Sequence, residues 1–253
     1  WAAMHSKMAD LTRTSVYFKS SPFGSFSHGH GDQNAFVISK AGIPLLTATG
    51  WYDWYDSPLA RSWYRQTKAA NAITFDGGTG QLIDGYRETL QRNGALTAFS
   101  TSAAIDYSEG NATAAYGGAL SSAVRQLWFL RNVDAVVVRD ALASAKARTY
   151  EWNFHALAPL TVSGTTVSVS YLGRSACVRP LVATGLRFEK RSGPPPRAGV
   201  TEDHGVFLTT TAQPAAEFLM LIDIGCKNPA VSLTTSASGR TLTVGGQSVA
   251  LPR

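Results

Sequence analysis

The chain has 253 residues, 44% hydrophobic and 16% charged, a balance that suits an ordered globular protein with a sizeable core and excludes a disordered one. Its formal net charge of +6 and pI near 9.4 leave nucleic acid, acidic polysaccharide and plain solubility open. The basic residues (Arg61, Arg65, Lys68, Arg87, Arg92, Arg125, Arg131, Arg139) are scattered, however, with neither the block nor the motif of a nucleic-acid arm. No run of about 18 apolar residues marks a membrane span. The start at Trp1 rather than Met reads as a processed product or a fragment, so silence about a targeting segment carries no weight.

Taken in chain order, short runs rich in β-branched and aromatic residues predict strands at 15–18 and 35–38. Between them lies the most unusual stretch, Ser27-His28-Gly29-His30-Gly31-Asp32-Gln33-Asn34, with two imidazoles, a carboxylate and two amides. It reads as a polar patch at a strand or loop edge; run as a strand, it would put His28, His30, Asp32 and Asn34 on one face. Residues 57–65 predict the one convincing helix, with Ser57 as cap and Pro58 in the first turn. Strand signals return at 72–75, followed by Asp76-Gly77-Gly78-Thr79-Gly80. This run lacks the Gly-Lys-Ser/Thr and helix of a phosphate loop and is read as a hairpin turn. Asn111-Ala112-Thr113 fits a glycosylation triplet, a pattern common by chance.

Further strands are predicted at 135–138, 165–169, 206–209 and 218–222. The proline run at 191–197 is read as an exposed loop because consecutive prolines cannot donate ladder hydrogen bonds. The last third, with the turn signal Val244-Gly245-Gly246-Gln247, reads as the outer part of the same sandwich. The fold expected is therefore all-β, stacked antiparallel sheets forming a β-sandwich, with at most one or two short helices and a single domain over 1–253. Cys177 and Cys226 lack metal-like spacing, which leaves one structural disulfide and two buried thiols both open.

Aromatic residues concentrate near the histidine cluster, in Trp51-Tyr52-Asp53-Trp54-Tyr55 and Trp63-Tyr64. Such rings stack on the C–H faces of sugars, although core packing accounts for aromatics more often. Arg61 and Arg65 suit uronate or sulfate oxyanions, or equally a salt bridge to Asp53 or Asp56. His155 is expected as a core or strand-edge histidine, and His5 and His204 have no supporting neighbours in sequence.

Four blocks in order, Trp1-Ala2-Ala3-Met4, residues 22–34, Gly50-Trp51-Tyr52-Asp53 and Arg65-Gln66-Thr67-Lys68-Ala69-Ala70-Asn71, resemble the C-terminal β-sandwich domain of heparinase II/III-like polysaccharide lyases. Residues 125–130, 136–140 and 151–155 look like that domain's succeeding strands. The resemblance covers roughly the first 160 residues well and the remainder by strand pattern alone. It implies a full-length enzyme with an α/α-toroid ahead of the sandwich and a cleft for acidic polysaccharide between them. The toroid, with a Tyr and a His or Asn central to catalysis, is expected to be missing from this chain.

The resemblance further implies β-elimination on a uronate-containing polymer, with alginate and heparin or heparan-like chains as candidates, in the periplasm or outside the cell. His28 falls on the catalytic position, and Gln33, Asn34, Tyr55 and Arg65 are candidate substrate contacts. His30 matches a metal ligand, commonly for zinc. The family's other two ligand positions carry Ala48 and Ala70, which offer no donor, leaving Asp32 or Asp53 as substitutes. A rival expectation is a non-catalytic carbohydrate-binding or scaffolding sandwich derived from the same family. A cupin-type metal oxygenase starts from the same His-x-His pair, but the downstream glutamate and histidine it needs are not found at convincing spacing.

Overall fold

The computed structural model describes residues 1–22, 24–50, 53–83, 88–194, 202–237 and 239–252. Trp51, Tyr52 and Arg87, named above, and Phe23, Pro195, Pro196 and Arg197, within the segments 22–34 and 191–197, lie outside the described residues. The described residues form four sheets, all antiparallel, as the short β-branched runs predict. The first orders Ala2–His5, Thr14–Lys19, Ala35–Lys40 and Ile43–Leu46; the second orders Leu186–Ser192, Asp203–Thr209, Tyr150–Ala156 and Ile73–Phe75. The third has eight strands, in the order Leu160–Ser163, Thr166–Tyr171, Arg174–Pro180, Gln213–Ile224, Ala135–Arg148, Ser122–Leu130, Ile105–Asn111 and Ala95–Thr101. The last joins Val231–Ser236, Gly239–Val244 and Gln247–Leu251.

Side chains alternate across a strand, so a strand covered on both faces reads as an unbroken apolar run. This is the case in the middle of the eight-stranded sheet. Leu127, Phe129, Val136 and Val138 enter the main core with Phe18, Phe36, Trp152 and Phe154 of the first two sheets. Trp128, Leu130, Ala135 and Val137 point the other way and pack under Leu242, Val244, Val249 and Leu251 of the last sheet. Of the last third, read from sequence as the outer part of the sandwich, only this final sheet is an outer layer; Asp203–Thr209 and Gln213–Ile224 lie in the inner sheets and carry Phe207, Phe218, Met220 and Ile222 into the main core. Cys177 and Cys226 form a disulfide with Cα atoms 5.0 Å apart, resolving the open choice between a bridge and two thiols.

Helical structure is confined to single turns among the described residues. Ser57 caps the expected one: its Oγ accepts the Ala60 N–H at 2.9 Å and its carbonyl accepts the Arg61 N–H at 3.0 Å. The turn then widens to a π-helical loop over Ala60–Tyr64, closed by the Arg65 N–H on the Ala60 carbonyl at 3.2 Å. Three 3-10 turns, Thr67–Ala69, Glu88–Gln91 and Thr113–Tyr116, add to it. Residues 76–80 make the predicted turn, with Phe75 and Thr79 exchanging backbone bonds at 2.9 Å.

A buried ion pair ties these layers to the loops that matter below. Arg125 and Asp140 stand directly opposite on neighbouring strands, with the Arg125 Nε donating to Asp140 at 2.8 Å and Trp152 Nε1 donating to the same carboxylate at 3.0 Å. Arg125 Nη1 also donates to the Asn34 carbonyl at 2.7 Å and the Asn71 carbonyl at 2.6 Å. One guanidinium therefore fixes the ends of two loops against the main core.

Candidate functional site

The histidine-rich stretch is not a strand. Ser27 and Asn34 adopt φ of 56° and 62°, and the chain between them runs as turns and irregular backbone, so of the two readings, strand or loop edge, it is the loop, and the common face that a strand would have given does not form. His28 is exposed, His30 and Asp32 are half-buried, and Asn34 is buried. The interleaved glycines explain why: a Cβ on Gly31 would lie 2.8 Å from Ile83 Cγ2, and one on Gly29 would lie 2.9 Å from the Phe26 carbonyl. Close backbone approach folds the segment into a tight loop instead of extending it.

The loop is braced from beneath by the amides and by Arg65. Gln33 exchanges paired bonds with Gln81 at 2.8 Å, accepts from the Ser21 N–H at 2.8 Å and donates to the Gly24 carbonyl at 3.2 Å. Asn34 Nδ2 donates to the carbonyls of Gly110 at 2.9 Å and Ala123 at 3.1 Å. Arg65 donates to the carbonyls of Gly29 at 3.1 Å and Ser25 at 3.0 Å, and its own carbonyl accepts from the Gly31 N–H at 2.9 Å. Of the four candidate substrate contacts, then, three have polar atoms engaged in bracing bonds, Arg65 and Gln33 to the loop and its flanks and Asn34 to the strands beneath, and Tyr55 alone stands at the surface.

Tyr55 packs its ring 4.8 Å from that of His28 and is 50% exposed, beside Trp54 at 60%. The capped turn presents them: Asp53 Oδ1 accepts from the Trp54 N–H at 2.8 Å, Ser57 Oγ at 2.6 Å and the Tyr64 hydroxyl at 3.1 Å. Trp63 and Tyr64 are buried, with Tyr64 5.9 Å from the His30 ring. Burial holds the His30 imidazole below its ordinary pKa of 6.5, against the opposing pull of Asp32. Arg61 takes the salt bridge expected as its alternative, to Asp56, with Nε donating at 2.7 Å.

The residues at the metal positions implied by the resemblance do not fit a metal. Ala48 and Ala70 line a cavity of about 70 Å³ together with Trp1, Tyr17, Lys19 and Asp32. Asp32 is ion-paired there with the Lys19 ammonium, a fixed positive charge that disfavours a divalent ion. Asp53 is spent on the turn cap.

Sequence reasoning missed His204. It is buried and stacks on His155, with ring centroids 4.7 Å apart, across the pairing of Asp203–Thr209 with Tyr150–Ala156. His155 is the core histidine expected. His5, also read as lacking neighbours, meets Ser15 Oγ at 2.9 Å. The cross-strand partners come from distant sequence, and only a correct register would have paired them.

The β-sandwich fold that carries this loop is also what comparison with solved structures returns. The model for the heparinase II/III-like C-terminal domain matches residues 1–232, and the chain belongs to that family of polysaccharide lyases. A heparan sulfate lyase from Pedobacter heparinus is similar in structure, with a TM-score of 0.78, 18% identity, and coverage of 98% of this chain and 40% of that one. Two heparinase III structures give TM-scores of 0.79 and 0.76 at 14% and 13% identity, each again over 98% of this chain and 40% of theirs. The chain thus spans about two-fifths of the length of these solved structures. No curated protein matches its sequence.

Proposed function

We propose that the chain is the sandwich wall of a two-part polysaccharide lyase that cleaves a uronate-containing polymer by β-elimination. The observation that carries this reading is the outward His28 ring against Tyr55, beside exposed Trp54. In β-elimination the C5 proton of a uronic acid is removed, charge develops on the carboxylate as an enediolate, and the 4-linked oxygen leaves with a proton. His28, exposed and held on a braced loop, assists with charge or proton transfer at that carbon. Trp54 and Tyr55 offer flat faces for sugar stacking. Gln33, Asn34 and Arg65 act as positioning residues for the His28 loop. The net charge of +6 suits a polyanionic substrate.

An α/α-toroid supplies the remaining acid and base groups in this reading, as the resemblance implies. Heparan-like chains and alginate are the substrates to compare, and the Cys177–Cys226 disulfide suits a periplasmic or extracellular site of action. The test is release of unsaturated uronate, followed by ultraviolet absorbance on heparan sulfate, heparin and alginate. The chain alone gives negligible release, and robust release from it would sink the two-part account. In a protein that joins it to its toroid, His28→Ala lowers release about 100-fold or more. If the joined protein binds polymer yet releases nothing, the chain is a carbohydrate-binding sandwich, a reading favoured by the donor-free Ala48 and Ala70.

A further inference from the structure

His155, Glu202 and His204 bring two imidazoles and a carboxylate together behind the candidate site, with one ligand atom from each lying within 4.8 Å of the others. All three are buried, at 0%, 2% and 5% exposure. Two of their polar atoms, Glu202 Oε1 and His204 Nδ1, have no hydrogen-bond partner and stand 3.7 Å apart. The other Glu202 oxygen accepts from the Gly193 N–H. A buried carboxylate oxygen and a buried ring nitrogen left unpaired are costly, and such groups call for a missing partner.

His155 adds an independent mismatch. Its ring nitrogens face two oxygen acceptors, the Lys68 carbonyl at 2.9 Å and Asn71 Oδ1 at 3.2 Å. The Asn71 amide orientation is fixed, because its Nδ2 donates to the Phe36 carbonyl at 2.8 Å and its Oδ1 accepts the backbone N–H of His155 at 2.8 Å. A neutral imidazole carries one N–H, so one ring nitrogen presents its lone pair with no donor to meet it. Metal-bound histidines show this pattern, one nitrogen donating to a carbonyl and the other free to ligate.

We propose that His155, Glu202 and His204 bind a single divalent transition-metal ion of the zinc type. Two imidazoles and a carboxylate are a donor set that such ions accept, with a remaining position open to water. The ion would cross-link Tyr150–Ala156 to the strand that follows Glu202. It would do so behind Trp63, whose ring lies 5.7 Å from His204 and 6.4 Å from His155. Trp63 adjoins Tyr64 and Arg65, so the ion acts as a staple under the turn and loop that carry the candidate site. It is distinct from the donor-poor cavity at Ala48 and Ala70.

The experiment is titration of the chelator-stripped chain with zinc chloride, read by calorimetry and by thermal melting, with zinc counted by elemental analysis. One equivalent is expected to bind and raise the melting temperature. Glu202→Gln and His204→Gln weaken that binding at least tenfold, while His30→Gln leaves it unchanged. X-ray absorption at the zinc edge of the unmodified chain is expected to count two imidazole ligands, a readout independent of whether any variant folds. Absence of zinc binding, binding equal in all variants, loss confined to His30→Gln, or a single imidazole at the edge would each overturn the assignment.

Discussion

Asn34 joins backbone geometry, packing and site architecture in one side chain. Its φ of 62° lies in the left-handed region, which asparagine tolerates better than alanine. Its amide satisfies two carbonyls that would otherwise be buried without a donor. Asn34→Ala is therefore expected to cost about 2–4 kcal/mol, combining unsatisfied carbonyls with the φ penalty. Asn34→Gly removes the same bonds but not the permitted φ, and is expected to be about 1 kcal/mol less damaging than alanine. Urea midpoints check both, and His28→Ala, at an exposed position, should move the midpoint little. An alanine variant as stable as the parent would show that the loop is not held by this residue.

At the scale of elements, the strands were legible because alternation and apolar runs are local signals, and 35–38 and 218–222 fall inside the observed Ala35–Lys40 and Gln213–Ile224. The histidine loop was not legible as a loop. Its shape depends on Gln81 and Arg125, which are remote in sequence, and on glycine contacts visible only after folding. Ser57 and Pro58 announced the capped turn correctly, yet nothing local announced that it would widen into a π-helical loop or that Arg65 would turn back to hold Gly29. Arg125 and Asp140 show where element-level stability resides. Removing one partner of a buried pair strands the other charge, so Arg125→Met, which also frees the Asn34 and Asn71 carbonyls, is expected to cost about 3–5 kcal/mol. Arg61→Ala, which breaks an exposed pair, is expected to leave the denaturation midpoint in place. Equal effects from the two variants, measured by chemical denaturation, would refute the buried-pair argument.

For the molecule as a whole, the eight-stranded sheet is the common wall between the main core and the outer three-stranded layer, and the disulfide lies on it. Cys177 sits in Arg174–Pro180, opposite Asp223, and Cys226 follows the end of the neighbouring strand Gln213–Ile224. The strands are already paired, so the bridge adds little to the native contacts and acts chiefly by restricting the unfolded chain. Closing a separation of 49 residues gives a loop-entropy contribution of about 4 kcal/mol as an upper figure. The histidine loop belongs to the first sheet, and its braces run to Gln81, Arg125 and the turn before Arg65, none of which the bridge touches. Replacing both cysteines by serine is thus expected to lower unfolding free energy by about 2–4 kcal/mol while leaving polysaccharide affinity of the folded chain unchanged. Parallel denaturation and binding titrations test this separation. A fall in affinity together with stability would mean that the disulfide-bearing end of the eight-stranded sheet is coupled to the candidate site, and that the loop's bracing extends further than its hydrogen bonds.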